Sequence, residues 1–176
     1  MEEVVNDRRL SLSVTDRQIA SQAAEHFLCT GSAQASDYTP VIGWKNNDER
    51  KKQLVLAYGA EIGVAKKLKQ QWNGMSTGKR MADVGNNIEV RWTSTDHAIV
   101  YDYDRDTDLL FLVKGQSLDD LYIAGFIPMK MAKVEAYKRE REGLPTTYWV
   151  PIAKLYTYLP DNGAVSRFID RFSRLV

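Results

Sequence analysis

Asp83-Val84-Gly85-Asn86-Asn87-Ile88-Glu89-Val90-Arg91-Trp92-Thr93 changes character halfway along, from turn chemistry to strict alternation. Ile88, Val90 and Trp92 alternate with Glu89, Arg91 and Thr93, the period-two pattern of a half-buried strand. The apolar set predicts the core face. The opposite face carries an acid and a base two positions apart, hence side by side, with Asp83 just ahead of the strand. Gly85-Asn86-Asn87 is a turn former able to fold Asp83 back towards Glu89. Two convergent carboxylates beside a cation make a candidate divalent-metal site.

Upstream, Asn46 and Glu49 form a capping-box pattern that opens a long helix to about Trp72, where Asn73-Gly74 stops it. Leu54, Tyr58, Ala65, Leu68 and Trp72 repeat at helical spacing and mark its buried stripe. Glu61 falls within that stripe. A carboxylate on a core-facing side is costly unless something pairs with it or binds it. Gly59 and Gly63 flank it, although each costs a helix about 1 kcal/mol relative to alanine, and they let a backbone or a ligand approach closely. Glu61 therefore either serves a site or pairs with a base such as Arg91. Both readings bring the helix against the strand.

The remaining chain fills in around this pair. Thr15 and Gln18 read as a capping box for a first helix to about Cys29, with Ile19, Ala23, His26 and Phe27 on its apolar side. Residues 31–47 are a loop, and residues 75–82 a basic loop or short strand holding Lys79 and Arg80. Gly78-Lys79 lacks the glycine spacing of a phosphate-binding Walker motif. His97–Tyr103 and Leu109–Lys114 read as two strands joined by a polar hairpin tip over Asp104–Asp108. That tip lacks the glycine and terminal glutamate of a calcium loop. Leu121–Ile127 is a further strand. A helical piece over Met129–Glu142 carries Lys130 and Lys133 as a phosphate-contacting face. Tyr148–Pro151 reads as an edge strand, because proline ends its ladder. A short helix over Ile152–Tyr158 and a C-terminal helix from about Ala164 complete the chain.

The fold class expected is α+β: a single domain over residues 1–176, with a central mixed, mostly antiparallel sheet of about five strands flanked by helices. Residues 48–93 form its core helix and metal-site strand, and 1–14 a polar, flexible arm or edge segment. A chain of 176 residues can bury a real core. Its 44% apolar and 27% charged content excludes wholesale disorder. A net charge of +1 excludes a global polyanion-binding surface, so any nucleic-acid contact rests on a local basic patch such as Lys79, Arg80, Lys130 and Lys133. The single Cys29 excludes an internal disulfide. With no signal-peptide layout and no apolar run of ~18 residues, a soluble, cytoplasmic protein is expected. A serine or cysteine hydrolase is disfavoured, since His26 and His97 lack an acid-and-nucleophile arrangement.

A long helix bearing Glu61, then Asp83, then Glu89-Val90-Arg91 on a strand resembles the PD-(D/E)xK nuclease superfamily, the restriction-endonuclease-like fold, over about residues 48–93. The wider string through Tyr122–Pro128 and Tyr148-Trp149-Val150-Pro151 is similar to small phage proteins of that fold. The resemblance implies a magnesium- or manganese-dependent DNA nuclease of phage or mobile-element DNA processing, in the host cytoplasm. Asp83, Glu89 and the Val90 carbonyl would be metal ligands, and Glu61 would hold a water or a second ion. DNA is the implied partner, with a homodimer or a phage or host protein as further partners. Arg91 departs from the family's lysine. Arginine clamps a phosphate but stays protonated, so it cannot act as a base. That departure opens a second reading, an inactive relative binding nucleic acid or a host protein. A third is a structural protein in which Glu61, Glu89 and Arg91 form an ion-pair network.

Overall fold

The computed structural model describes residues 8–29, 47–74 and 81–157. Two helices come first, α1 (Val14–Cys29) and α2 (Asn47–Leu68). Strands β1 (Ile88–Trp92), β2 (His97–Tyr101), β3 (Leu109–Lys114) and β4 (Tyr122–Pro128) follow. The short α3 (Met129–Ala132), β5 (Lys138–Arg139) and β6 (Thr147–Pro151) close the described part. The α+β class holds.

The strands do not form one five-stranded sheet. Among the described residues they make two three-stranded sheets, β1-β3-β4 and β2-β6-β5. β1 runs parallel to β3, β4 antiparallel to it, and the second sheet is antiparallel throughout. The expected hairpin between the segments at 97–103 and 109–114 is therefore absent. β2 leaves to pair with β6, and the chain returns through residues 102–108 to lay β3 beside β1. The cause lies in β3 itself. Leu109-Leu110-Phe111-Leu112-Val113 is an unbroken apolar run, suited to a strand covered on both faces. Leu109, Phe111 and Val113 join Ala60, Val64 and Leu68 of α2 in one core. Leu110 and Leu112 join Ala98, Val100 and Val150 in a second core on the other face. Each Leu or Phe so buried contributes about 1.5–3 kcal/mol. Doubling a connection's length costs only about 0.6 kcal/mol, so covering both faces outweighs the tighter turn.

α1 opens at Val14, ahead of the expected Thr15 cap. Ser13 Oγ accepts the Asp16 N–H at 3.2 Å, and Asp16 Oδ2 accepts the Ser13 N–H at 2.7 Å, the reciprocal capping box one step earlier. The buried residues of α1 are Ala20, Ala23 and Ala24, while Ile19 is exposed. α2 stops at Leu68 rather than near Trp72. Lys69 adopts φ 52°, the Gln70 N–H bonds the Ala65 carbonyl and the Lys69 N–H bonds that of Lys66, which is a Schellman stop.

The helix expected over 129–142 is also short. Lys133 leaves helical geometry at ψ 61°, and Lys138 and Arg139 pair with Tyr148 and Thr147 instead. β6 is the middle strand of its sheet, not an edge, with Pro151 at its last position. Ile152–Lys154 is a single 3₁₀ turn. Lys79, Arg80, the cap at Asn46, the 31–46 loop and the C-terminal helix lie outside the described residues. Among the described residues no helix is long and apolar enough to cross a membrane.

Candidate metal centre

Asp83 is carried to the edge of β1 by a strap just after α2. Trp72 bridges Val84, which in turn bridges Ile88. The Asn73 N–H bonds the Asp83 carbonyl at 3.0 Å, and Asn73 Nδ2 donates to the Ala82 and Gly85 carbonyls at 2.7 and 2.6 Å. Gly85, at φ 57°, makes the reversal that a side chain would resist. Asp83 Oδ2 then accepts the Val90 N–H at 2.8 Å. The Leu109 N–H bonds the Asn87 carbonyl and the Thr93 N–H bonds that of Val113. Odd-numbered residues of β1 thus turn their backbone groups to β3, and Ile88, Val90 and Trp92 turn theirs to the outer edge. The Val90 carbonyl faces the edge that Asp83 occupies.

Side chains of β1 divide as the alternation predicts. Ile88 and Val90 enter the core against α2. Glu89 and Arg91 stand in register with Leu110 and Leu112, on the face towards the second sheet. Glu61 approaches from α2, where the Trp72 Nε1–H donates to its Oε2 at 2.9 Å. Trp72, read from sequence as core alone, is thus a direct partner of a site residue. Arg91 is not the partner of Glu61.

Burial raises the pKa of all three carboxyls, and their neighbours add to the shift at Glu61 and Glu89. Burial pushes Glu61 well above the ordinary carboxylate range, and the nearby Asp83 adds to it, against the donation from Trp72. Burial also raises Asp83, opposed by the Val90 N–H and Arg91, and its carboxyl is within hydrogen-bonding reach of Glu89. Glu89 is pushed up to about 8 by burial and by Asp83, despite Arg91. Burying three carboxyls side by side is costly, and it is the packing of α2, the strap and β1 that holds them there.

Arg91 is committed elsewhere. Its Nη2 donates to Asp104 Oδ2 at 2.6 Å, its Nη1 to the Ile99 carbonyl, and its guanidinium lies 5.0 Å from the centroid of Tyr101. Burial works against its charge, but Asp104 and Glu89 raise its pKa above the usual value. Asp104 belongs to the polar tip over Asp104–Asp108, yet its side chain is only 9% exposed. Asp108, from the same tip, is 1% exposed, bonded to Arg105 Nε at 2.8 Å, and adds to the negative field at Glu89. Its only sequence signal is its place against the apolar run of β3.

Lys133 does not present a phosphate-contacting face. Its Nζ donates to the Asp102 and Asp104 carbonyls at 2.8 and 2.5 Å and to Asp106 Oδ1 at 2.6 Å. The ammonium fills the loop that was compared with a calcium site. Lys130 is exposed on α3.

Hard carboxylate oxygens of Asp83 and Glu89, a main-chain carbonyl on the same edge and Glu61 behind them are the donor chemistry of magnesium or manganese. Among the described residues, no group of three or more His, Cys, Asp or Glu side chains is placed so that it could hold a metal ion. A groove of about 560 Å³ lies elsewhere, lined by Arg8, Asp96, His97, Lys114, Tyr122 and Ile152 among others, and none of the carboxylates of the centre lines it. No family model matches the chain, and no characterised protein or solved structure matches it significantly.

Proposed function

We propose that this chain is a magnesium- or manganese-dependent DNA nuclease of the PD-(D/E)xK type, acting in the DNA processing of a phage or mobile element. The observation that supports this reading is the gathering of Glu61, Asp83 and Glu89 at one edge of β1, each raised by its neighbours or by burial. Their order along the chain, helix then aspartate then strand, is that of the resemblance. Asp83, Glu89 and the Val90 carbonyl would hold the ion. When bound, the ion supplies Lewis acidity towards a phosphodiester and neutralises developing charge. Glu61, steadied by Trp72, keeps the far side of the site acidic and able to orient water. The Val90 N–H fixes the Asp83 carboxylate, so the centre is oriented before any ion arrives. Arg91 cannot take a proton from water; its contribution is electrostatic, delivered from a position fixed by Asp104.

A specific observation favours a second reading. The guanidinium that would meet the phosphate is already bonded to Asp104 and Ile99, as suits a catalytically silent relative that binds nucleic acid or a host protein. Cleavage of plasmid and single-stranded DNA with magnesium and manganese separates the two, using wild type, Asp83→Asn and Glu89→Gln. The nuclease reading expects metal-dependent cleavage that falls at least 100-fold in both variants. Metal-dependent DNA retention without cleavage supports the silent relative. Cleavage unaffected by either substitution contradicts the site.

A further inference from the structure

Away from the carboxylate centre, the ends of the two sheets meet at the groove of about 560 Å³. Lys114, the last residue of β3, stands opposite Tyr122 of β4, and His97, the first of β2, stands opposite Pro151 of β6. All four line the groove. Lys114 Nζ reaches across to Asp96 Oδ1 at 2.8 Å, joining the first sheet to the entry of the second. The Ile152 N–H in turn bonds the Asp96 carbonyl at 3.1 Å. The His97 ring is steadied by Trp149, with centroids 5.9 Å apart.

Arg8 adds a third basic side chain. The Ile123 N–H donates to the Arg8 carbonyl at 2.9 Å, which lays this segment beside β4. Arg8 Nη1 donates to the Ala124 carbonyl at 3.3 Å, on the groove wall. Among the described residues its guanidinium pairs with no carboxylate. Basic groups from three separate elements thus share a groove whose lining holds one carboxylate, Asp96. That acid is 87% exposed, against 22% for Lys114. An ion pair with so exposed a partner is weak, and an entering anion can take Lys114 from it.

We propose that this groove binds a nucleoside monophosphate, either free or as the phosphorylated end of a strand. A phosphate monoester carries a charge of about −1.5 to −2 and three acceptor oxygens, which the N–H donors of Arg8, His97 and Lys114 match. Arginine's planar fork suits such a group bidentately. The remaining walls, Tyr122, Pro151 and Ile152, are apolar and offer cover to a flat base. The volume falls among small-molecule sites, roughly 300–1,000 Å³. No carboxylate of the metal centre takes part, so the site stands apart from the nuclease reading.

The test is calorimetric titration of deoxyadenosine 5′-monophosphate, deoxyadenosine and inorganic phosphate in EDTA, so that no metal ion contributes. Wild type should saturate at one nucleotide, with the nucleoside and inorganic phosphate each at least about 10-fold weaker. Arg8→Gln and Lys114→Gln should each weaken nucleotide binding roughly 10-fold or more, whereas Asp96→Asn, which removes the competing acid, should tighten it. Ala153 is exposed and lines the groove; Ala153→Glu should abolish binding while its dichroism and melting match wild type. Competition by a 5′-phosphorylated oligonucleotide assigns the source: displacement points to a strand end, and no displacement to the free nucleotide. No saturable binding at millimolar nucleotide, or equal binding in wild type, Arg8→Gln and Ala153→Glu, overturns the site.

Discussion

Glu89 has an ordinary carboxyl pKa of 4.5 and is pushed to about 8 in the fold. Because the folded value is the higher one, the folded state binds more protons between these limits. The stability tied to that proton is fully present below pH 4.5 and is lost as pH rises through 8. The metal-free protein should therefore melt at least about 5 °C lower at pH 8.5 than at pH 5.5. Glu89→Gln should flatten that slope and raise the melting temperature at pH 8.5; thermal scans across pH check both. An unchanged slope means that Glu89 is solvated and ordinary. Arg91 makes the opposite prediction. Arg91→Met leaves Asp104, 9% exposed, without its cation, and should cost about 2–4 kcal/mol in chemical denaturation. Arg91→Met with Asp104→Asn should recover much of that loss.

At the level of elements, the loop at 102–108 is organised by a cation from α3. Lys133→Met removes the donor to Asp102, Asp104 and Asp106, and should destabilise by about 2–3 kcal/mol. It should also quicken amide exchange at Tyr101 and Asp104, a readout that separates loop release from a general loss of stability. The burial of this loop has no local signal in its residues. The strand at 88–92 was legible because its alternation is local, and so was most of α2. Asp83 could be placed near Glu89 because glycine and asparagine between them spell a reversal. Asp104 could not, since an aspartate in a polar run is usually solvated; only the crossover brings it beside Arg91, 13 residues back. The hairpin failed for a related reason. The apolar run of β3 announces burial on both faces, but not which strands supply the covers. The helix beyond Ala132 gave way to sheet pairing with β6, a tertiary demand that helical propensity does not encode.

Across the whole molecule, β3 is the shared wall of two cores, with helices covering one face of its sheet and the second sheet the other. Leu112, 1% exposed, faces the second core, and Leu112→Ala should cost about 2–5 kcal/mol. Because both cores lean on β3, the loss should appear as one lowered cooperative transition, seen equally by near- and far-ultraviolet dichroism; two separate transitions would mean that the layers unfold independently. The same layering brings α2, the Trp72 strap and the β1 edge together, so that Glu61, Asp83 and Glu89 meet. The most direct test of that centre is calorimetric titration of manganese at pH 7 in buffers of different protonation enthalpy. A carboxyl held near pH 8 must give up its proton to an ion. Wild type should bind manganese and release about one proton, with that release abolished in Glu89→Gln. Absence of binding, or binding equally tight in both proteins with no proton released, would contradict a metal centre at these residues.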